Sequence, residues 1–322
     1  MRRNDVPLDP EAQEVLELQA ASGRPAWSSI GPVAARQQFA ETRTASGGVR
    51  PDTVRASDHV IRRDGRDLAV RLYRPAAASP KALLPTVIWA HGGGWVVGDI
   101  DTHDGTCGQL AAQADVAVLS VDYRLAPEAP FPAAFDDMVA ALDWASHEGD
   151  SIGIDPHLLA LGGDSAGGNL AAAAALWARD RAMNNLRFQL LVYPVTDCAT
   201  GTASYARFAD GFGLTRDSMQ WFLDQYTPRA SDRSDWRAAP LRAASVAGAC
   251  PAMLITAGFD PLRDEGRAYA RRLRDEGGGC DLVEFGGMIH GFFGMSALLH
   301  GGRRAIATAA LALNEALIDR AE

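Results

Sequence analysis

The chain has 322 residues, of which 47% are hydrophobic and 22% are charged, a composition typical of a globular protein with one α/β domain and a small appendage. Its formal net charge is −9 and its acidic and basic residues are interspersed, so we expect no nucleic-acid partner. No secretory leader and no run of about 18 apolar residues can be recognised, which predicts a soluble, cytoplasmic protein without a membrane partner.

The first fifty residues predict a helical appendage. Asp9 and Pro10 form a typical helix start, and apolar residues follow at helical spacing as far as Gly23. A second helix is predicted over residues 32–44, before a pair of glycines.

After residue 57 the pattern changes to short apolar runs. A β-hairpin is predicted over 58–63 and 67–75, because Asp64-Gly65 between them is a typical two-residue turn. The runs that follow lie at 86–90, 116–121, 158–163, 188–194, 252–258 and 281–285. Helices are predicted between or after them at 131–145, 166–179, 262–276 and 303–319. Strands that are apolar on both faces indicate an α/β fold with a mostly parallel central sheet flanked by helices.

One interval, between Val195 and Pro240, has no predicted strand but carries a helix with Met219, Phe222 and Leu223 on one face. An interval of about 45 residues is too long for a simple crossover loop. We therefore expect an insertion that covers the active edge of the sheet together with the N-terminal helices. The predicted organisation is an N-terminal cap segment (1–50), a catalytic core in two parts (51–195 and 239–322) and a cap insertion (196–238).

The pentapeptide at 163–167, Gly-Asp-Ser-Ala-Gly, lies between a short apolar strand and an alanine-rich helix. A G-x-S-x-G sequence in this setting is typical of the nucleophile elbow, a strained turn that exposes the hydroxyl group of a serine. The alternative is a chance match in a chain with 32 glycines. The strand-turn-helix context favours Ser165 as a nucleophile.

A glycine-rich loop at 91–95, His-Gly-Gly-Gly-Trp, directly follows the apolar run at 86–90. Such a loop lets backbone N–H groups turn toward a developing negative charge. The alternatives are a plain turn or a phosphate loop, but the lysine of a P-loop is missing. The pattern therefore favours an oxyanion hole.

A nucleophilic serine needs a base and a carboxylate that orients the base. Asp260 and His290 each follow a predicted strand, in the chain order serine, acid, histidine that is typical of α/β-hydrolases. Asp264 is the alternative acid, although it lies within the next predicted helix, and His300 is the alternative base. The sequence favours Asp260 and His290.

These residues resemble the hormone-sensitive-lipase family of bacterial esterases, in its GDSAG variety, within the α/β-hydrolase superfamily. The motifs that carry the resemblance are HGGGW (91–95), DYRLAPE (122–128), GDSAGG (163–168), DPLRDEG (260–266) and HGF (290–292). The resemblance assigns catalysis to Ser165, Asp260 and His290. It assigns the N–H donors of the oxyanion hole to Gly93, Gly94 and Ala166. It gives His91 and DYRLAPE structural roles, and Asp164 a hydrogen bond within the elbow.

The resemblance also implies a two-part cap over the site. Candidate pocket walls are Trp95, Tyr193, Phe212 and Leu214, with core packing as the alternative for each. The cap carries specificity in this family, so the preferred substrate stays open.

The implied activity is hydrolysis of small-molecule esters with short- to medium-chain acyl groups through an acyl-enzyme, without metal or organic cofactor. The family also implies a homodimer. Four separated cysteines form no CxxC pair and predict free thiols. Two alternatives remain open: amide or lactone hydrolysis or deacetylation by the same triad, and ligand binding on the same scaffold without catalysis. The family's ligand-binding members lack the histidine that this chain keeps at His290.

Overall fold

An eight-stranded sheet runs through the computed structural model, which describes residues 6–63 and 65–318. The strands are β1 (Val54–Arg63), β2 (Arg66–Pro75), β3 (Leu84–Ala90), β4 (Ala117–Val121), β5 (Ile154–Asp164), β6 (Leu186–Val192), β7 (Ala252–Phe259) and β8 (Cys280–Ile289). Their order in the sheet is β1-β2-β4-β3-β5-β6-β7-β8. β2 pairs antiparallel with β1 and β4, and all other pairs are parallel. The predicted α/β fold with a mostly parallel sheet is confirmed.

Helices cover both faces of the sheet. They are α1 (Pro10–Ala21), α2 (Trp27–Ser46), α3 (Asp104–Ala114), α4 (Ala133–Glu148), α5 (Ala166–Asp180), α6 (Ala203–Arg207), α7 (Arg216–Tyr226), α8 (Arg263–Asp275) and α9 (His300–Leu317). Apolar residues of α4, α5 and α8 pack into the core on one face, and those of α3 and α9 pack on the other. Because the central strands are buried on both faces, their sequences are mostly apolar and lack a regular alternation with polar residues.

The structure differs from the sequence prediction at several element boundaries. α2 begins at Trp27 and not at Pro32, because the chain passes through a non-helical residue, Gly31 (φ 74°), between two helical stretches. α3 was absent from the prediction, and α9 begins at His300. Asp64 of the predicted turn and residue 319 of the predicted last helix lie outside the described residues.

Segments outside the sheet come together above the carboxyl ends of the parallel strands. Trp27 at the start of α2 makes an edge contact with Phe222 of α7, with ring centroids 5.2 Å apart. In the described chain between β6 and β7 there is no strand, and α6 and α7 lie there. The division of the chain into cap and core stays a prediction, but α2 and α7 are close enough to enclose a space between them.

Candidate active site

Ser165 stands at a sharp turn between β5 and α5. Its backbone has φ 56° and ψ −115°, a conformation that a residue with a side chain adopts only at a cost of about 1–3 kcal/mol. The turn requires close approach of the chain to β3, since a Cβ on Gly167 would overlap the carbonyl group of Ala90. The strand-to-helix turn inferred from the pentapeptide is therefore present, and Ser165 lies at its tip.

Three side chains form a hydrogen-bonded row at the ends of β5, β7 and β8. His290 Nε2 lies 3.0 Å from Ser165 Oγ, and His290 Nδ1 lies 2.8 Å from Asp260 Oδ2. A carboxylate only accepts, so Nδ1–H donates to Asp260 and Nε2 is left to accept from the serine hydroxyl. The structure thus brings together the three residues that the sequence proposed as a triad.

Asp260 is fully buried, and its second oxygen is also occupied. Asp260 Oδ1 accepts a hydrogen bond of 2.8 Å from the N–H of Leu262, which fixes the carboxylate as α8 begins. The alternative acid, Asp264, instead accepts from the N–H of Ser204 at 2.8 Å. The alternative base, His300, is exposed at the start of α9. Neither alternative residue joins the row.

The glycine loop after β3 lies beside Ser165. Gly93 has φ 124°, which favours glycine, and its carbonyl group accepts from the N–H groups of Val96 and Val97 at 3.1 and 2.9 Å. Among the described residues, the N–H groups of Gly93 and Gly94 donate to no protein acceptor. Ala166 is the first residue of α5, so its N–H has no partner within the helix. These are the three amides that the family resemblance assigns to an oxyanion hole.

Asp164 joins the elbow to the glycine loop. Its Oδ1 accepts a hydrogen bond of 2.9 Å from the N–H of Gly92 and lies 3.3 Å from His103 Nε2. Burial by itself would raise the pKa of Asp164, but the His103 ring and the Arg43 guanidinium outweigh it and lower the pKa to about 2. The sequence placed the hydrogen bond of Asp164 within the elbow, whereas the structure directs it across to the glycine loop.

His91 supports the glycine loop from inside the protein. Its ring stacks on Tyr123 at 4.2 Å, and its Nδ1 lies 2.8 Å from the carbonyl oxygen of Gly92. Burial lowers the pKa of His91 to about 4, so the ring is neutral near pH 7. Tyr123 from the DYRLAPE segment donates its hydroxyl hydrogen to the His91 carbonyl oxygen at 2.7 Å. Both residues brace the loop from a buried position.

A cavity of about 330 Å³ lies over Ser165 and His290. Its walls come from α2, the glycine loop, the start of α7 and the loop after β8. Apolar walls that the sequence did not assign to the pocket are Trp27, Phe39, Met219, Phe222 and Met295. The sequence predicts that Met219 and Phe222 lie on one face of a helix in the insertion, and that helix face is the signal that could have identified them as wall residues.

Of the four candidate wall residues, Leu214 lines this cavity. The structure places the other three elsewhere. Trp95 is fully buried and stacks on Tyr226 at 4.3 Å, because its positive φ of 61° turns the side chain away from the glycines. Tyr193 is buried behind His290 with ring centroids 4.6 Å apart, and Phe212 packs against Phe208 and Phe259.

A larger surface cavity, of about 690 Å³, lies at the opposite ends of β5, β6 and β7 and includes none of these reactive groups. Within residues 6–63 and 65–318 no three His, Cys, Asp or Glu side chains are grouped in a way that could hold a metal ion. No helix in the described part of the chain is long and apolar enough to cross a membrane. All four cysteines are free thiols.

Comparisons with known proteins show which proteins the chain is similar to. A family model described as alpha/beta hydrolase fold matches residues 87–294. The chain is 45% identical to carboxylic ester hydrolase LipN of Mycobacterium tuberculosis, over 75% of this chain and 65% of that protein. It is 39% identical to an ethyl acetate hydrolase of Pseudomonas putida, over 82% of this chain and 84% of that protein.

Solved structures show the same likeness. The crystal structure of a thermostable esterase from Pseudomonas putida matches with a TM-score of 0.93 and 36% identity, covering 98% of this chain and 99% of that one. An ester hydrolase from the metagenome of Lake Arreo, complexed with a phosphonate derivative, matches with a TM-score of 0.91 and 40% identity, covering 95% and 98%.

Proposed function

The chain belongs to the hormone-sensitive-lipase-like branch of the α/β-hydrolase-fold family, and we propose from this that it is a serine hydrolase of carboxylic esters. The observation that carries the proposal is the 3.0 Å contact between Ser165 Oγ and His290 Nε2 at the tip of a strained turn, beside amides without acceptors. The esterase names of the similar proteins support the same class of substrate.

In the first step, Ser165 Oγ attacks the ester carbonyl carbon while its proton passes to His290 Nε2. The imidazolium that forms is stabilised by the carboxylate of Asp260, which also fixes the ring orientation through the 2.8 Å bond to Nδ1. The carbonyl oxygen becomes an oxyanion, and the N–H groups of Gly93, Gly94 and Ala166 are the donors proposed to hold it.

Collapse of this intermediate breaks the bond to the alcohol, which receives the proton from His290 and leaves. Water then enters, loses a proton to His290 Nε2 and attacks the acyl-enzyme at the same carbonyl carbon. The second tetrahedral intermediate releases the acid and returns the proton to Ser165. Every step uses groups of this chain and water alone.

The size of the cavity favours short and medium acyl groups. A volume of about 330 Å³ is at the small end of ligand sites, and α2 and α7 close it with Trp27, Phe39 and Phe222. We propose highest turnover at acyl chains of about two to eight carbons, a range bounded by the modest volume of such sites. The proposed cap consists of the N-terminal helices and residues 196–238. A cytoplasmic location, a homodimer and the lack of a nucleic-acid partner stay predictions.

The test is hydrolysis of p-nitrophenyl esters from acetate to palmitate by the wild-type protein and by Ser165→Ala, with circular dichroism to show that both are folded. We expect cleavage of the short esters, little or none of the palmitate ester, and no turnover above background in the variant. Cleavage by a folded Ser165→Ala protein would refute the assignment of the nucleophile. A folded wild-type protein that cleaves amides or lactones but no ester would move the function to those substrates. Failure on all three would favour a binding protein.

A further inference from the structure

One charged side chain in the wall of the cavity has no part in the mechanism above. Arg43 lies in the last turn of α2 and lines the same cavity as Ser165 and His290. The residue is 8% exposed, so its charge is largely removed from bulk water. A guanidinium remains protonated in proteins, and a buried one is ordinarily paired with an anion.

The contacts of Arg43 satisfy only part of its guanidinium. Nη1 donates to the carbonyl oxygens of Gly294 and Gly291 at 3.0 and 3.3 Å, and the group lies 5.1 Å from the Phe39 ring centroid. Within residues 6–63 and 65–318, no carboxylate lies within ion-pair distance of Arg43, and Nε and Nη2 find no acceptor. Nε and Nη2 of Arg43 are not among the fully buried side-chain atoms that lack a hydrogen-bond partner, so both keep some solvent-accessible surface. Because the residue lines the cavity, we infer that this edge faces the cavity.

The edge formed by Nε and Nη2 is the one that other arginines of this chain use to bind carboxylates. Arg267 donates from Nε and Nη2 to the two oxygens of Glu284 at 2.8 and 2.7 Å. Arg71 holds Asp58 in the same way at 2.6 and 3.1 Å. Two parallel N–H groups match the two oxygens of a carboxylate in spacing and charge. In Arg43, Nε and Nη2 donate to no acceptor in the part of the chain that the structure describes.

The nearest acidic side chain in the cavity wall does not supply the missing partner. Asp164 Oδ1 accepts from the N–H of Gly92 at 2.9 Å and lies 3.3 Å from His103 Nε2. The charge of Arg43 helps to lower the pKa of Asp164, but within the described residues the two side chains form no hydrogen bond and no ion pair. Arg24, the second arginine of the wall, differs from Arg43 because it already forms an ion pair with Glu41 at 3.4 Å. Arg43 is therefore the arginine of this wall that has no directly hydrogen-bonded carboxylate in the described part of the chain.

We propose that Arg43 is a specificity-determining residue that binds a free carboxylate on the substrate, so that the preferred substrates are esters carrying such a group. The proposal rests on the proposed ester hydrolysis at Ser165 and adds the class of ester. The carboxylate takes no part in bond making or breaking. It accepts hydrogen bonds from Nε and Nη2, while Nη1 keeps its bonds to the loop that follows His290.

The experiment compares esters in which a carboxylate is replaced by a methyl group. On the acyl side, monoethyl glutarate is paired with ethyl pentanoate, and on the alcohol side, γ-acetoxybutyrate is paired with butyl acetate. Acid release is followed in a pH-stat at pH 7.5, and kcat/KM is measured for the wild type, Arg43→Met, Arg43→Lys and Arg24→Met. Arg24→Met is the matched control, because it removes an equal charge from the same wall without removing a free edge.

The quantity of interest is the ratio of kcat/KM for the anionic ester to that for its neutral partner. In one or both pairs we expect Arg43→Met to lower this ratio by about 10- to 100-fold, mainly through KM, since hydrogen bonds to a charged group contribute that much to binding. Arg43→Lys should recover part of the ratio, and Arg24→Met should change it less than about threefold. The pair that responds shows which half of the ester carries the carboxylate.

An equal fall for anionic and neutral esters in Arg43→Met would overturn the proposal and leave Arg43 as a support of the histidine loop. An unchanged ratio in both pairs would overturn it as well. Failure of the wild-type protein to cleave any of the four esters, anionic or neutral, would contradict the proposed ester hydrolysis itself, so the two proposals fail in distinguishable ways.

Discussion

Replacing Asp164 by asparagine tests how the elbow is joined to the glycine loop. The carboxylate is almost fully buried, accepts from the N–H of Gly92 at 2.9 Å and lies 3.3 Å from His103 Nε2. Asparagine has nearly the same shape but no charge, and its amide can still accept one hydrogen bond. The substitution therefore removes the charge and leaves the packing in place.

The expected loss of stability follows from the pKa of Asp164. Burial opposes ionisation, but the His103 ring and the Arg43 guanidinium bring the pKa from 3.8 down to about 2, which corresponds to about 2 kcal/mol in favour of the charged, folded state. Because the pKa is lowered on folding, this contribution is fully present above about pH 4 and is lost as the pH falls toward 2. Asp164→Asn should lose it at neutral pH.

The assay is urea unfolding of both proteins at pH 7 and at several values down to pH 3, followed by tryptophan fluorescence. We expect a difference of about 2 kcal/mol at pH 7 that shrinks on acidification. We also expect kcat to fall by about tenfold or more. The hydrogen bond from Gly92 to Asp164 positions the glycine loop, and the next residue, Gly93, carries one of the proposed oxyanion donors. Asp122→Asn is the control, and its effect on the free energy of unfolding at pH 7 should have the opposite sign. Burial and the nearby Asp99 and Asp101 raise the pKa of Asp122, so its charge disfavours the folded state. Equal stability of Asp164→Asn and wild type at pH 7 would refute this reasoning.

Two other substitutions probe the proposed machinery directly. Asp260→Asn should leave the urea midpoint nearly unchanged but lower kcat by about four powers of ten, because the wrong tautomer of His290 is favoured. Near-normal turnover in that variant would remove Asp260 from the mechanism. Gly94→Ala should lower kcat by about 10²–10³, because a Cβ there would overlap the Phe222 ring and displace an oxyanion donor. Gly23→Ala is its control, with a similar φ of 61° and open space around the added methyl group, and loss of activity in both would point to backbone strain alone.

The parts of the site that follow from local sequence were predictable. The elbow needs only a strand, a G-x-S-x-G turn and a helix in succession, and the parallel sheet then brings the ends of β5, β7 and β8 to one edge. Asp260 and His290 each follow one of those strands, so their meeting at 2.8 Å is a consequence of topology that the chain order already contained. The glycine loop after β3 was recognisable for the same reason.

The walls of the cavity were not predictable, because they depend on how α2 and α7 lie over the sheet. Trp95 stands next to the glycines in sequence, yet its left-handed backbone turns the indole into the core against Tyr226. Phe39 and Arg43 instead enter the wall from a helix far away in the chain. The partnership of Asp164 with His103 likewise joins distant segments, and no local pattern indicates it.

The most direct test of the central claim is covalent titration of the nucleophile with a p-nitrophenyl alkylphosphonate, followed by intact-mass and peptide mass spectrometry. The account predicts one phosphonyl group per chain, release of one equivalent of p-nitrophenol, attachment to Ser165 and complete loss of ester hydrolysis, with no labelling of Ser165→Ala. Attachment to another residue, or full esterase activity in a protein whose Ser165 is labelled, would contradict it.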